Sequence, residues 1–173
     1  MINNHLEQLV AEWYEFQGFF VRRNVNVGKR PQGGYEGELD IVAFHPELKK
    51  VVHIETSLDA DSWKKREERF KKKFEAGKKY IPQIFKGFKI PSEIEQIAIL
   101  FFASKAHRET LAGGKIMLVS ELLVEIVKKL SKLKVAKQAI PEQFPLLRTI
   151  QFIIECREPI FNELKKMKML KGL

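Results

Sequence analysis

Apolar positions near the start of the chain recur every three to four residues, at Leu6, Leu9, Val10, Trp13 and Phe16. That period predicts an amphipathic helix over residues 4–17, with Asn3 or Asn4 as its cap and Gly18 as its stop. The pattern then turns β-like. "FFVRRNVNV", Phe19 to Val27, is rich in aromatic and β-branched residues and predicts a strand. "GKRPQGG" follows as a loop carrying Lys29 and Arg30. Leu39 to Phe44 predicts a short strand, His45-Pro46-Glu47 a turn, and Val51 to Thr56 a second strand. Asp59, Asp61 and Ser62 are caps for a helix in "SWKKREERFKKKFEAGKKY". Its apolar positions are sparse: Trp63, Phe70, Phe74 and Tyr80.

Ile97 to Ser104, "IAILFFAS", is a continuous apolar run of strand length and predicts a buried central strand. A short helix over 105–112, closed by Gly113-Gly114, is expected next, then a strand in "KIMLVS". "SELLVEIVKKLSKL" predicts a helix with Leu122, Leu123, Ile126, Val127 and Leu130 inward, and the tail from Pro141 predicts helix broken near Pro159. Strands alternating with helices imply an α/β sandwich around a mixed β-sheet. The 173 residues fit one domain, with a helical extension over about 141–170.

Charge adds a partner. A formal net charge of +9 attracts polyanions before any specific contact forms. No window holds the roughly 18 uninterrupted apolar residues of a membrane span. "MINNHLEQLV" lacks the order of a signal peptide. The lone Cys156 excludes an intramolecular disulfide framework and fits a reducing interior, so a cytoplasmic protein is expected. It also has no cysteine or clustered histidine beside it for zinc.

The candidate chemistry lies in "GYEGELDIVAFHPELKKVVHIETS". Asp40 and Glu55 sit in apolar segments on consecutive predicted strands, and Asp is disfavoured in strand interiors. If the strands pair, the two acids converge at one edge of the sheet. Buried carboxylates about 4 Å apart repel, and a divalent cation is the simplest remedy. Strand period two puts His53 on the Glu55 face, where it reads as a structural residue tethering Glu7. Glu38 is a fallback ligand and Glu36 a loop acid.

At these residues the sequence resembles the PD-(D/E)XK nuclease superfamily, nearest to its Mrr-like and Holliday-junction-resolvase-like branches. The pattern is a helix with an early Glu, a Gly-rich loop, a strand bearing Asp, and a strand reading Glu-X-Lys. "HLEQLVAEWYEFQGFFV", "GGYEGELDIVAF" and "VVHIETS" fill it with Glu7, Asp40 and Glu55, and the resemblance covers about residues 5–130. It implies a restriction-endonuclease-like three-layer sandwich and hydrolysis of DNA phosphodiesters with Mg²⁺ or Mn²⁺. Asp40, Glu55 and the Thr56 carbonyl would hold the ion, and Glu7 would orient water. Many small members dimerise, so a homodimer is expected.

Two positions depart from the pattern. Leu39 stands where the motif name has proline, and Ser57 stands where the family has lysine. Serine can orient a water but brings no positive charge. Lys64 and Lys65, the nearest lysines in the following helix, are the expected replacements. Lys71, Lys72, Lys73, Lys78 and Lys79, with Lys29 and Arg30, are expected to contact the phosphate backbone, since lysine-rich stretches carry little sequence information. The rival reading is a nucleic-acid-binding module that kept the fold and lost catalysis.

Overall fold

A computed structural model describes residues 4–105 and 107–170, with side chains to residue 167. The protein is α/β, with a six-stranded mixed sheet and five helices among the described residues. The order is α1 (His5–Phe16), β1 (Phe20–Lys29), β2 (Tyr35–His45), β3 (Lys50–Ser57), α2 (Trp63–Ile84), β4 (Glu95–Leu100), β5 (Thr110–Leu111), β6 (Gly114–Leu118), α3 (Val119–Leu130), α4 (Pro145–Glu155) and α5 (Arg157–Leu170). The sheet runs β1-β2-β3-β4-β6-β5. β1, β2 and β3 pair antiparallel, β3, β4 and β6 pair parallel, and β5 returns antiparallel on β6. By its contacts the chain forms two compact units, Met1–Leu122 and Leu123–Leu173.

Asn4 caps α1, its Oδ1 accepting from the Leu6 N–H at 3.0 Å, while Asn3 lies outside the described residues. β2 buries six consecutive residues, Leu39 to Phe44, so both faces of that strand are covered. α2 meets one face with Phe70, Phe74 and Ile81. It runs back along β3 with a regular register: Arg69 meets Ser57, Lys73 meets Glu55, Gly77 abuts His53, and Ile81 packs with Val51. Four helical residues advance about 6 Å and two strand residues about 6.6 Å, so the two elements stay in step for three turns. Gly77 is needed here because a Cβ would lie 2.2 Å from His53 Nδ1.

The second half of the sheet differs from expectation in two places. β4 ends at Leu100 rather than Ser104, and Phe101 and Phe102 turn outward. The helix expected over 105–112 is not present in the described residues. Thr110–Leu111 instead forms the short edge strand β5, joined to β6 by the two-residue loop Ala112-Gly113. Both loop residues have positive φ, 50° and 83°, the requirement of a tight hairpin. Gly114 then packs directly on Phe74, where a Cβ would lie 2.4 Å from the ring.

In the second unit, Gln151 is 1% exposed and organises the segment before α4. Its Oε1 accepts from Ile140 N–H at 2.9 Å, and its Nε2 donates to the carbonyls of Leu133 and Gln138, each at 3.0 Å. The helical tail breaks at Cys156 rather than at Pro159, which lies in the first turn of α5, where a missing N–H leaves no helical bond unmade.

Candidate active site

β2 and β3 pair up to Ile41↔Ile54, and the next positions along that register are Asp40 and Glu55. The backbone pairing ends there because the carboxylates take it over. Glu55 Oε1 accepts from the Asp40 N–H at 3.2 Å, and Asp40 Oδ2 accepts from the Thr56 N–H at 2.9 Å and the Thr56 hydroxyl at 3.3 Å. Each acid therefore closes the pairing between the two strands, while β2 continues on β1 and β3 on β4. The remaining two oxygens, Asp40 Oδ1 and Glu55 Oε2, converge on one cation, the ammonium of Lys73 from the third turn of α2. The Asp40 contact is 2.5 Å.

Glu55 is fully buried, and burial pushes its carboxyl above the usual range, opposed chiefly by the bond from His53. His53 Nε2 lies 2.7 Å from Glu55 Oε1. Gln96 on β4 sets the proton on that ring: its Nε2 donates to the Phe74 carbonyl at 2.8 Å and to His53 Nδ1 at 3.3 Å. An accepting Nδ1 leaves the hydrogen on Nε2, facing Glu55. Burial works against the charge on Lys73, yet Glu55 and Asp40 outweigh it, so its ammonium is held above the ordinary lysine range.

Glu7 projects from the first turn of α1 and accepts from Asn4 Nδ2 at 2.7 Å. Burial, and then the charge of Asp40, raise its carboxyl, while Lys73 lowers it. Glu7 thus shares the electrostatic field of the Asp40–Lys73 cluster. His53 tethers Glu55, not Glu7 as the sequence suggested.

Ser57 is buried but bound: its hydroxyl donates to Asp59 Oδ1 at 2.8 Å and accepts from Arg69 Nη2 at 3.0 Å. Lys64 and Lys65 do not reach the acids. Both are exposed on the first turn of α2, and Lys65 lies 3.8 Å from Asp61. The cation that reaches the acids is Lys73, grouped by the sequence with phosphate-binding lysines. Lys71, Lys72 and Lys78 remain exposed, as do Lys29 and Arg30. Lys79 pairs with Glu36 at 2.9 Å, and Tyr80 donates to the same carboxylate. Glu38 is exposed on β2. Sequence reading missed Gln96 and Arg69, although "EQIAIL" carried a signal in a polar residue opening a buried strand.

Among the described residues, no three His, Cys, Asp or Glu side chains gather as a metal-ligand set. Two carboxylate oxygens do converge, on a point that already holds a cation. Oxygen donors of this type suit Mg²⁺ or Mn²⁺. The Lys73 side chain is 31% exposed, so it would have a route to solvent were an ion to take its place. The donor set therefore fits a divalent ion. No described helix is long and apolar enough to cross a membrane. The chain matches no protein-family model, and no curated protein matches it.

Proposed function

We propose that this chain is a metal-dependent DNA endonuclease with a restriction-endonuclease-like three-layer fold. The observation that carries the reading is the meeting of Asp40, Glu55 and Lys73 where β2 and β3 part. Asp40, Glu55 and the Thr56 carbonyl would hold Mg²⁺ or Mn²⁺, which when bound polarises a phosphoryl oxygen and lowers the pKa of a water. Lys73, displaced from the carboxylates but tethered above them, would hold the attacking water and oppose charge on the phosphate. It takes the role that Ser57 vacates, and Ser57 instead anchors Arg69. Glu7 would orient water from α1. The Gln96–His53 relay keeps Glu55 facing the site. The exposed Lys71, Lys72 and Lys78 of α2 would hold the phosphate backbone.

Incubation of supercoiled plasmid and branched DNA with Mg²⁺ or Mn²⁺ tests the proposal. Wild type should nick, and Asp40→Ala, Glu55→Ala and Lys73→Ala should each lose about two orders of magnitude in rate or more. A second reading, a non-catalytic nucleic-acid-binding module of the same fold, is favoured by the Lys73 pairing itself. A cation between two acids satisfies them without any metal, so their presence alone does not require catalysis. Wild type that binds DNA and never nicks it would select the second reading.

A further inference from the structure

The parallel strands β3 and β4 end side by side, and the chain leaves β4 with two aromatic residues turned outward. Leu100 is fully buried, whereas Phe101 and Phe102 are 51% and 57% exposed. Their rings meet edge to face with centroids 4.6 Å apart. The pair is held from both sides, one of them at the candidate active site. Phe101 N–H donates to the Ser57 carbonyl at 3.0 Å, two residues from Glu55. The Phe102 carbonyl accepts from Arg66 Nη2 at 2.6 Å.

Arg66 is 3% exposed, and its other bond runs to the Asp59 carbonyl at 2.8 Å; among the described residues it has no carboxylate partner and its Nε no hydrogen-bond partner. Its guanidinium lies over Trp63, which Arg108 also covers, at 5.3 and 5.1 Å from the ring centroid. Further along α2, Arg69 is held by Asp59 and Asp61, and Lys73 by Asp40 and Glu55. Exposed aromatic rings beside two acids, on a chain of net charge +9, match the chemistry of an unpaired strand: bases stack on the rings and the surplus of cations draws the phosphates. A base inside a duplex has both faces covered by its neighbours and cannot use such a platform.

We infer that Phe101 and Phe102 stack unpaired bases beside Asp40 and Glu55. The substrate class is therefore single-stranded or locally unpaired nucleic acid. This deepens the nuclease reading and rests on it for the cleavage step only. The test measures binding of fluorescein-labelled oligo(dT), and of a blunt duplex of equal length, by anisotropy in EDTA. Variants are Phe101→Leu/Phe102→Leu, which keeps apolar surface without a π-face, and Phe101→Tyr/Phe102→Tyr, which keeps the π-face.

Wild type should prefer oligo(dT). The leucine variant should lose roughly tenfold or more of that affinity, with its duplex affinity unchanged, and the tyrosine variant should retain it. Equal binding by wild type and the leucine variant overturns the proposal; so does a wild type that prefers duplex. Binding that follows this pattern without Mg²⁺-dependent cleavage upholds the platform and defeats the nuclease reading. Cleavage of paired and unpaired DNA at equal rates by wild type and the leucine variant defeats the platform and leaves the nuclease reading standing.

Discussion

Replacing Lys73 with methionine removes one ammonium and keeps most of its stem, so the effect isolates the charge. In the wild type that ammonium faces Glu55, whose side chain is 0% exposed, and Asp40, whose side chain is 9% exposed. Without it, two carboxylates share a buried site held, among the described residues, by His53, Thr56 and the Asp40 N–H. Removing one partner from a buried ion pair costs about 3–5 kcal/mol. Lys73 is partly open to solvent, which already screens some of the interaction, so about 2–4 kcal/mol is expected near neutral pH. For a chain of this size that corresponds to a fall in Tm on the order of 5–15 °C. Urea denaturation followed by tryptophan fluorescence is the assay. Trp13 and Trp63 both lie in the unit that contains the sheet, so the signal reports on that unit.

The pH dependence has a defined sign. Glu55 has a raised carboxyl pKa in the folded state, so its ionisation destabilises the fold as pH rises from the unfolded value near 4.5 through the folded one. Losing Lys73 raises it further. The stability gap between wild type and Lys73→Met should therefore widen with rising pH and narrow toward pH 4. A divalent ion should restore part of the loss, because it binds the folded site and not the unfolded chain. Mn²⁺ should raise the Tm of Lys73→Met more than that of Lys73→Met/Glu55→Gln. Lys73→Met as stable as wild type at neutral pH would refute the argument, since it would mean that no charge was left unpaired.

Three further outcomes follow from the same geometry. Gly77→Ala should destabilise by about 1–3 kcal/mol or more in urea titration, because its Cβ would lie 2.2 Å from His53 Nδ1 and the ring is fully buried and bonded to Glu55 and Gln96. Gln96→Leu should lose about 1–2 kcal/mol and release the tautomer of His53, visible as a change in the ¹⁵N shifts of its ring. A Lys64→Ala/Lys65→Ala double variant should keep wild-type stability within about 0.5 kcal/mol and wild-type nicking in the plasmid assay, since both lysines are exposed and neither meets the acids.

The half of the fold built on local period was legible in the sequence. α1 follows from Leu6, Val10 and Trp13, and β2 and β3 from apolar runs bounded by Gly, Pro and charge. The hairpin at Ala112-Gly113 was hidden because a glycine pair after a polar stretch also ends helices; the deciding fact, a strand of only two residues before a two-residue loop, falls below any periodic signal. Asp40 and Glu55 stood out because charge in a buried strand is rare enough to need a partner. The identity of that partner depended on where a helix passes over a sheet, and periodicity within one element does not contain that.

Nearness along the chain favoured Lys64 and Lys65, yet α2 starts beyond the end of β3 and returns over it. A helix antiparallel to the strand beneath it advances about four residues for every two on the strand. Once one contact is fixed, the others follow by counting. The steric fit of Gly77 on His53 assigns Lys73 to Glu55 and Arg69 to Ser57. A glycine inside a lysine-rich helix costs about 1 kcal/mol of helix propensity, so its presence already marked a place where something large lies against the backbone. Counting one turn toward the amino terminus from Gly77 reaches Lys73, the position from which a flexible cation meets the end of β3. The serine at position 57 fits that register: its hydroxyl donates to Asp59 and accepts from Arg69, and a lysine there would compete with Arg69 for the same carboxylate.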